Sequence, residues 1–218
     1  MIVVLPWISF GIAAAAFAFG AKRFFKKKKP MYFQLLICAA GCFALRELSD
    51  VVTELCGGSE RSVTVGLLGL FGCLFFLLSA NYGQLDGIVD DHAEGSGRAR
   101  VIAFAAPVLF GACLLALLIK ADLGAFSAIV YAIVLAPLIP ASYFNLKHLL
   151  LPVDPFGFLR ATRECNFTSL AFCLLCVAQL AANAFLPAWC GAVVTLLSAA
   201  DLFLLVLASE RGIRKWGI

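Results

Sequence analysis

Ionisable side chains are rare in this chain, and one apolar segment carries several of them within a short stretch. Glu47, Asp50 and Glu54 fall at i, i+3 and i+7 of a helical pattern, so they share one helix face. Arg46 lies four residues before Asp50 and is spaced to pair with it. The group predicts a polar vestibule that binds a cationic or hydroxylated solute. The alternative is that these side chains lie among the lipid headgroups.

A single carboxylate, Asp201, lies midway along another apolar segment, close to Ser198. A carboxylate in this setting serves proton coupling, binds a cation or forms half of an interhelical hydrogen bond. Gln179 and Asn183 are its candidate partners, because they lie four residues apart on one face of the preceding segment. Tyr131 lies before two prolines of a further segment, and we include it in the predicted polar lining.

The composition decides in which class of protein these residues act. Of the 218 residues, 63% are hydrophobic and 14% are charged, and the mean hydropathy is +1.00. A soluble globular domain has about 25% charged residues. These values exclude a soluble enzyme, a disordered chain and a disulfide scaffold. They predict a multi-pass membrane protein, and the length allows about six to eight helices.

Seven continuous apolar runs predict an all-α bundle of seven transmembrane helices, since alternating patterns typical of barrels are missing. The runs cover residues 2–20, 31–52, 63–80, 101–119, 123–144, 167–187 and 189–208. One side of this topology holds fourteen of the seventeen lysines and arginines, in residues 21–30, 81–100, 145–166 and 209–218. The positive-inside rule then places the N-terminus outside and the C-terminus in the cytoplasm. The expected location is the plasma membrane.

Offset comparison of the sequence with itself predicts a parallel internal repeat. A shift of 134 residues aligns the second run with the sixth and pairs Cys56 with Cys190. A disulfide between these two cysteines at the outer face is a further hypothesis. The chain 1–218 is expected to form one domain of 3+1+3 order, with halves 1–92 and 123–218 and a linker helix 101–119. Parallel repeats of this kind occur in small transporters such as the SWEET carriers.

Other chemistries find less support in the residues. The acidic stretch 86–94 with His92 offers ligands for a divalent ion, but its order differs from that of the CDP-alcohol phosphotransferases. The two histidines exclude a multi-histidine metal site, and every lysine lies at a helix end or in a loop, which argues against retinal. We therefore predict no metal, no cofactor and no catalytic residue, and rank an enzyme last.

The residues favour a small-solute transporter with a polar site between the two halves, coupled to protons or cations through Asp201. The alternative is a sensory or regulatory seven-helix protein that signals through a partner. The expected partners are the lipid bilayer and a small solute, with a homo-oligomer or a partner membrane protein left open and no nucleic acid. The predicted ligand-binding residues are Arg46, Glu47, Asp50, Tyr131, Gln179, Asn183 and Asp201.

Overall fold

The structure, a computed structural model, describes residues 4–24, 30–57, 65–85, 96–121, 123–151 and 158–215. Every regular element in these ranges is helical, as the sequence predicts. The helices are α1 (Val4–Phe24), α2 (Met31–Leu55), α3 (Val65–Ser79), α4 (Ser96–Ala103), α5 (Ala105–Lys120), α6 (Ala125–Leu135), α7 (Leu138–Leu150), α8 (Phe158–Phe185) and α9 (Ala188–Lys215).

Six helical segments of the described chain are long and apolar enough to cross a membrane. They are Val4–Phe24, Val65–Tyr82, Gly97–Lys120, Ala125–Leu150, Thr162–Phe185 and Ala188–Arg214. Their outer surfaces expose many large apolar side chains, and soluble proteins rarely expose apolar surface of this extent. Examples are Leu68, Val101, Val108, Ile119 and Phe126. The prediction of a multi-pass helical membrane protein is therefore confirmed.

Helix α2 is not one of these six segments. Its 25 residues are enough to span a bilayer, but Arg46, Glu47, Asp50 and Glu54 lie within its last ten positions. It nevertheless packs inside the bundle against α1, α3 and α9. Its buried face is apolar for most of its length and becomes charged only near its C-terminal end. The seventh span thus stays a prediction.

Three of the spanning segments are not continuous α-helices. The segment Gly97–Lys120 divides at Phe104, between α4 and α5. Pro137 has no backbone N–H and its ring crowds the preceding turn, so α6 ends at Leu135 and α7 begins at Leu138. The chain passes this point through a tight turn in which the Ala136 N–H bonds the Ile133 carbonyl oxygen at 3.3 Å. Helix α3 continues without a gap into a π-helical turn over Ala80–Leu85, a wider geometry that is common at functional sites.

The core of the bundle is formed mainly by α2, α3, α8 and α9. The rings of Phe43 and Phe172 meet nearly edge to face, with centroids 5.5 Å apart, and both are fully buried. Leu77, Leu138 and Leu202 are also fully buried in the same apolar cluster. This cluster separates a polar region near one end of the bundle from a second polar region near the other end.

Candidate functional site

A cavity of about 80 Å³ lies at the end of the bundle where α2 and α8 end and α3, α6 and α9 begin. Its deepest lining residue on α8 is Cys176, which lies about 14 Å from the helix end at Phe185 by helical rise. The volume is enough for on the order of five water molecules or a solute of a few heavy atoms. The polar side chains that line it are Arg46, Asp50, Tyr131, Gln179, Asn183 and Thr195.

One wall of the cavity is a hydrogen-bonded chain of three side chains. The Thr195 hydroxyl donates to the Gln179 carbonyl oxygen at 2.9 Å and shares its hydrogen with the Gly191 backbone carbonyl at 3.0 Å. The Gln179 amide nitrogen donates in turn to the Asn183 carbonyl oxygen at 3.1 Å. Both amide groups are therefore oriented, and the N–H groups of Asn183 donate to no other described side chain. This wall is rich in donors.

Gly191 is required for the wall because α9 passes close to the amides of α8. A Cβ atom at this position would lie 2.5 Å from the Asn183 carbonyl oxygen and 3.5 Å from the Gln179 amide nitrogen. The glycine therefore leaves room for the Asn183 side chain in the orientation in which its carbonyl oxygen accepts from Gln179. Neither Gly191 nor Thr195 is among the residues predicted from the sequence.

The opposite wall carries the charges of α2. Arg46 is paired with Glu47, with Nη1 and Oε1 3.8 Å apart, and not with Asp50 as its spacing predicts. Glu47 is only 1% exposed and does not line the cavity, whereas Asp50 is exposed at its mouth. The guanidinium also lies 5.2 Å from the centre of the Phe43 ring. Among the described residues that line it, the cavity thus has one cation, Arg46, which is paired with Glu47, and one carboxylate, Asp50.

Gly69 of α3 brings this charged turn close to the neighbouring helix. A Cβ atom there would lie 2.7 Å from the Cys42 backbone oxygen and 2.9 Å from the Arg46 backbone nitrogen. Because both neighbours are backbone atoms, no side-chain rotation could relieve the contact. Gly69 therefore sets the spacing of α2 and α3 beside the cavity, and Gly66 and Leu70 of the same helix line it.

Asp201 does not line the cavity but lies one layer below it on α9. Its carboxylate is half-buried, and its Oδ2 atom has no hydrogen-bond partner among the described residues. The predicted partners Gln179 and Asn183 bond to each other and to Thr195 instead.

The other five predicted ligand-binding residues come from three helices and line one cavity. They are Arg46, Asp50, Tyr131, Gln179 and Asn183. Tyr131 is half-buried on α6, less than two turns before the interruption at Pro137. The structure brings these residues together, and their binding of a ligand stays a prediction.

A second polar cluster lies at the other end of the bundle, and sequence reasoning missed it. The Asn81 amide nitrogen donates to the Asn145 carbonyl oxygen at 3.0 Å, and the Asn145 amide nitrogen donates to the Ser169 hydroxyl at 2.9 Å. All three side chains are buried and join the π-helical turn, α7 and α8. Asn166, one turn away on α8, is fully buried with neither amide atom bonded in the described structure.

Two further hypotheses from the sequence concern a disulfide and a metal site. The thiols of Cys56 and Cys190 are both free, so the hypothesis of a disulfide finds no support. The acidic stretch 86–94 and the lysines 26–29 lie outside the described residues. Within the described ranges, no three His, Cys, Asp or Glu side chains are grouped closely enough to hold a metal ion.

No protein-family model, no curated protein and no solved structure matches this chain significantly.

Proposed function

We propose that this integral membrane protein transports a small polar solute, which binds in the cavity between α2, α3, α6, α8 and α9. One observation carries the proposal: polar side chains from four helices converge on one cavity near an end of the bundle. Polar groups within a membrane bundle are costly and typically mark solute or ion pathways. The small volume limits the solute to a few heavy atoms.

The polar groups of the cavity indicate the chemistry of the solute. Asn183, the second Gln179 hydrogen and the Arg46 guanidinium offer donors, so the solute should carry oxygen acceptors. Asp50 offers the one carboxylate and favours an ammonium or hydroxyl group at the cavity mouth. A small zwitterion, such as an amino acid, or a hydroxylated amine fits both walls better than an anion or a hydrocarbon does.

The path across the membrane is closed below the cavity. The edge-to-face rings of Phe43 and Phe172 and the buried Leu77 fill the space between the cavity and the cluster of Asn81, Asn145 and Ser169. A transporter with one open side needs such a closed layer. The interruption at Pro137 supplies a point at which the α6–α7 segment can bend to open it.

The proposal includes the finer topology predicted from the sequence. Helix α2 is counted as the seventh span, the cavity opens to the outside, and the side rich in lysine and arginine faces the cytoplasm. The two three-helix halves would then move against each other about the cavity. Asp201 would serve as the proton- or cation-linked group, because its carboxylate is half-buried directly below the cavity without a hydrogen-bond partner for Oδ2 among the described residues.

The first test is a thermal-shift screen of the purified protein against amino acids, amines, sugars and vitamins. A ligand that binds the folded state raises the melting temperature by mass action. The shift should disappear in Asn183→Leu, which removes the free donors of the cavity wall. It should persist in Ser79→Ala, because among the described residues the Ser79 hydroxyl bonds only its own helix, to the Phe75 carbonyl oxygen at 2.8 Å.

A shift that survives in Asn183→Leu would place the ligand elsewhere and contradict the proposed site. If no compound of the panel shifts the wild-type protein, the regulatory alternative becomes the better hypothesis. Asp201→Asn should leave binding in place but abolish coupled uptake into proteoliposomes. Normal gradient-driven uptake by this variant would contradict the coupling role of Asp201.

A further inference from the structure

A second concave surface of the molecule lies on its outside, between α7, α8 and α9. This groove has a volume of about 610 Å³ and shares no residue with the cavity. Arg163, Glu164 and Arg211 stand at one end of it. Its remaining lining is almost entirely apolar and includes Phe167 and Leu204, both more than half exposed.

The helix positions of these residues place the charged end at the surface of a membrane. Helices α8 and α9 are joined by a short turn, so Phe185 and Ala188 mark one side of the bundle. Arg163 lies about 33 Å from Phe185 by helical rise, and Arg211 lies about 35 Å from Ala188. The hydrocarbon core of a bilayer is about 30 Å thick. Both guanidinium groups therefore reach the headgroup level of the opposite leaflet.

The apolar part of the groove then runs into the hydrocarbon. Phe167 lies about 6 Å deeper than Arg163, and Leu204 lies about 10 Å deeper than Arg211. A ligand that fills the groove must therefore be polar at one end and apolar over the following 10 Å or so. This is the shape of a phospholipid with its headgroup at the arginines and an acyl chain against Phe167 and Leu204.

The charge of the polar end indicates which phospholipid headgroup the groove would favour. Among the described residues that line this end, two guanidinium groups and one carboxylate give a net charge of +1. The Arg211–Glu164 ion pair is 4.0 Å long, with side chains 67% and 47% exposed, so it is weak and open to competition. Arginine matches the oxygens of a phosphate in bidentate geometry. A headgroup of net charge −1 complements this end, whereas a zwitterionic headgroup adds a cation beside the arginines.

We propose that the groove between α7, α8 and α9 binds one anionic phospholipid, with its phosphate at Arg163 and Arg211 and an acyl chain along Phe167 and Leu204. This site is independent of the solute cavity. It would hold α8 and α9 in the leaflet on the side of the molecule where basic residues are concentrated, and would anchor that half of the bundle.

The test uses the full-length protein purified in a neutral detergent and titrated with phosphatidylglycerol or phosphatidylcholine of the same acyl chains. Bound lipid is counted by native mass spectrometry, and the melting temperature is measured in parallel. Phosphatidylglycerol should bind with one tight site and raise the melting temperature more than phosphatidylcholine. The double variant Arg163→Gln/Arg211→Gln should bind it at least about tenfold more weakly.

A charge-matched control removes two exposed cations elsewhere, in Arg98→Gln/Lys120→Gln. This control should keep wild-type affinity, and glycerol 3-phosphate without acyl chains should not shift the melting temperature. Since Arg163 and Arg211 are exposed, their replacement should leave the fold intact, and native mass spectra report the folded fraction. Equal binding of both lipids, equal loss in both double variants, or a full shift with glycerol 3-phosphate would each overturn the proposal.

Discussion

Replacing Gly69 with alanine tests whether the close approach of α2 and α3 builds the charged wall of the cavity. The new Cβ would lie 2.7 Å from the Cys42 backbone oxygen and 2.9 Å from the Arg46 backbone nitrogen. Ordinary contact begins near 3.4 Å, so the two helices must separate by about 0.7 Å at this point. The separation would shift Arg46 relative to the α3 side of the cavity.

The size of the effect follows from two opposing contributions. Overpacking a well-packed core costs about 1–3 kcal/mol of the free energy of unfolding. Alanine in place of glycine within a helix gains up to about 1 kcal/mol. We therefore expect Gly69→Ala to lower the free energy of unfolding by up to about 2 kcal/mol. The matched control is Gly11→Ala, whose Cβ meets nothing within 4 Å and which should stabilise the protein or leave it unchanged.

The assay is thermal unfolding followed with a thiol-reactive dye, because the chain has nine cysteines and several of them are buried. A difference of about 2 kcal/mol between the two variants corresponds to about 4–8 °C in melting temperature for a chain of this size. Gly69→Ala should also weaken solute binding, since it moves Arg46. Equal melting temperatures for Gly69→Ala and Gly11→Ala would refute the argument that this contact determines the helix spacing.

Three further variants test the polar contacts by the same unfolding assay. Thr195→Val leaves the buried Gln179 carbonyl oxygen without its donor and should cost about 1–3 kcal/mol; an unchanged melting temperature would show that this bond contributes nothing. Arg46→Met leaves the buried Glu47 carboxylate without its cation and should cost about 3–5 kcal/mol, most of which Arg46→Met/Glu47→Leu should recover. If the double variant is the less stable one, the ion pair is not the cause. Asn145→Leu breaks two interhelical hydrogen bonds and should cost about 1 kcal/mol, and a gain in stability would contradict a clamping role.

Sequence reasoning located the helices because continuous apolar runs leave few alternatives within a membrane. Predicted and observed beginnings agree within two residues for α2, α6 and α9. The sequence predicts the sixth span from residue 167, whereas α8 already includes residues 158–166. The difference arises because charged residues such as Arg163 and Glu164 resemble a loop in the sequence. In the structure they form an exposed helical end beyond the apolar core. The division of the fifth run at Pro137 also required the structure to locate it.

The cavity residues were predictable where helical spacing placed polar side chains on one face. Gln179 and Asn183 are the best example, since an i, i+4 pair of amides stands out in an apolar helix. Thr195 was missed because a lone threonine commonly bonds the backbone one turn earlier, as it does here with Gly191. No pattern in the sequence shows that the same hydroxyl also reaches across to Gln179.

The cluster at the other end of the bundle was missed for a different reason. Asn81 and Asn145 each follow directly after a predicted span, where polar residues are expected to meet water. The helical geometry continues past both positions and turns these side chains inward toward Ser169. The length of an apolar run underestimates the length of a helix whose buried end is polar. Only the packing of the three helices shows which groups bond the amides of Asn81 and Asn145.

The most direct test of the transport proposal is uptake by proteoliposomes of a solute that stabilises the purified protein. We expect saturable uptake by the wild-type protein and by Ser79→Ala. We expect Asn183→Leu to fold and insert into the liposomes but to show no uptake. Binding without uptake above that of protein-free liposomes would contradict transport. Uptake that Asn183→Leu leaves unchanged would contradict the cavity as its route.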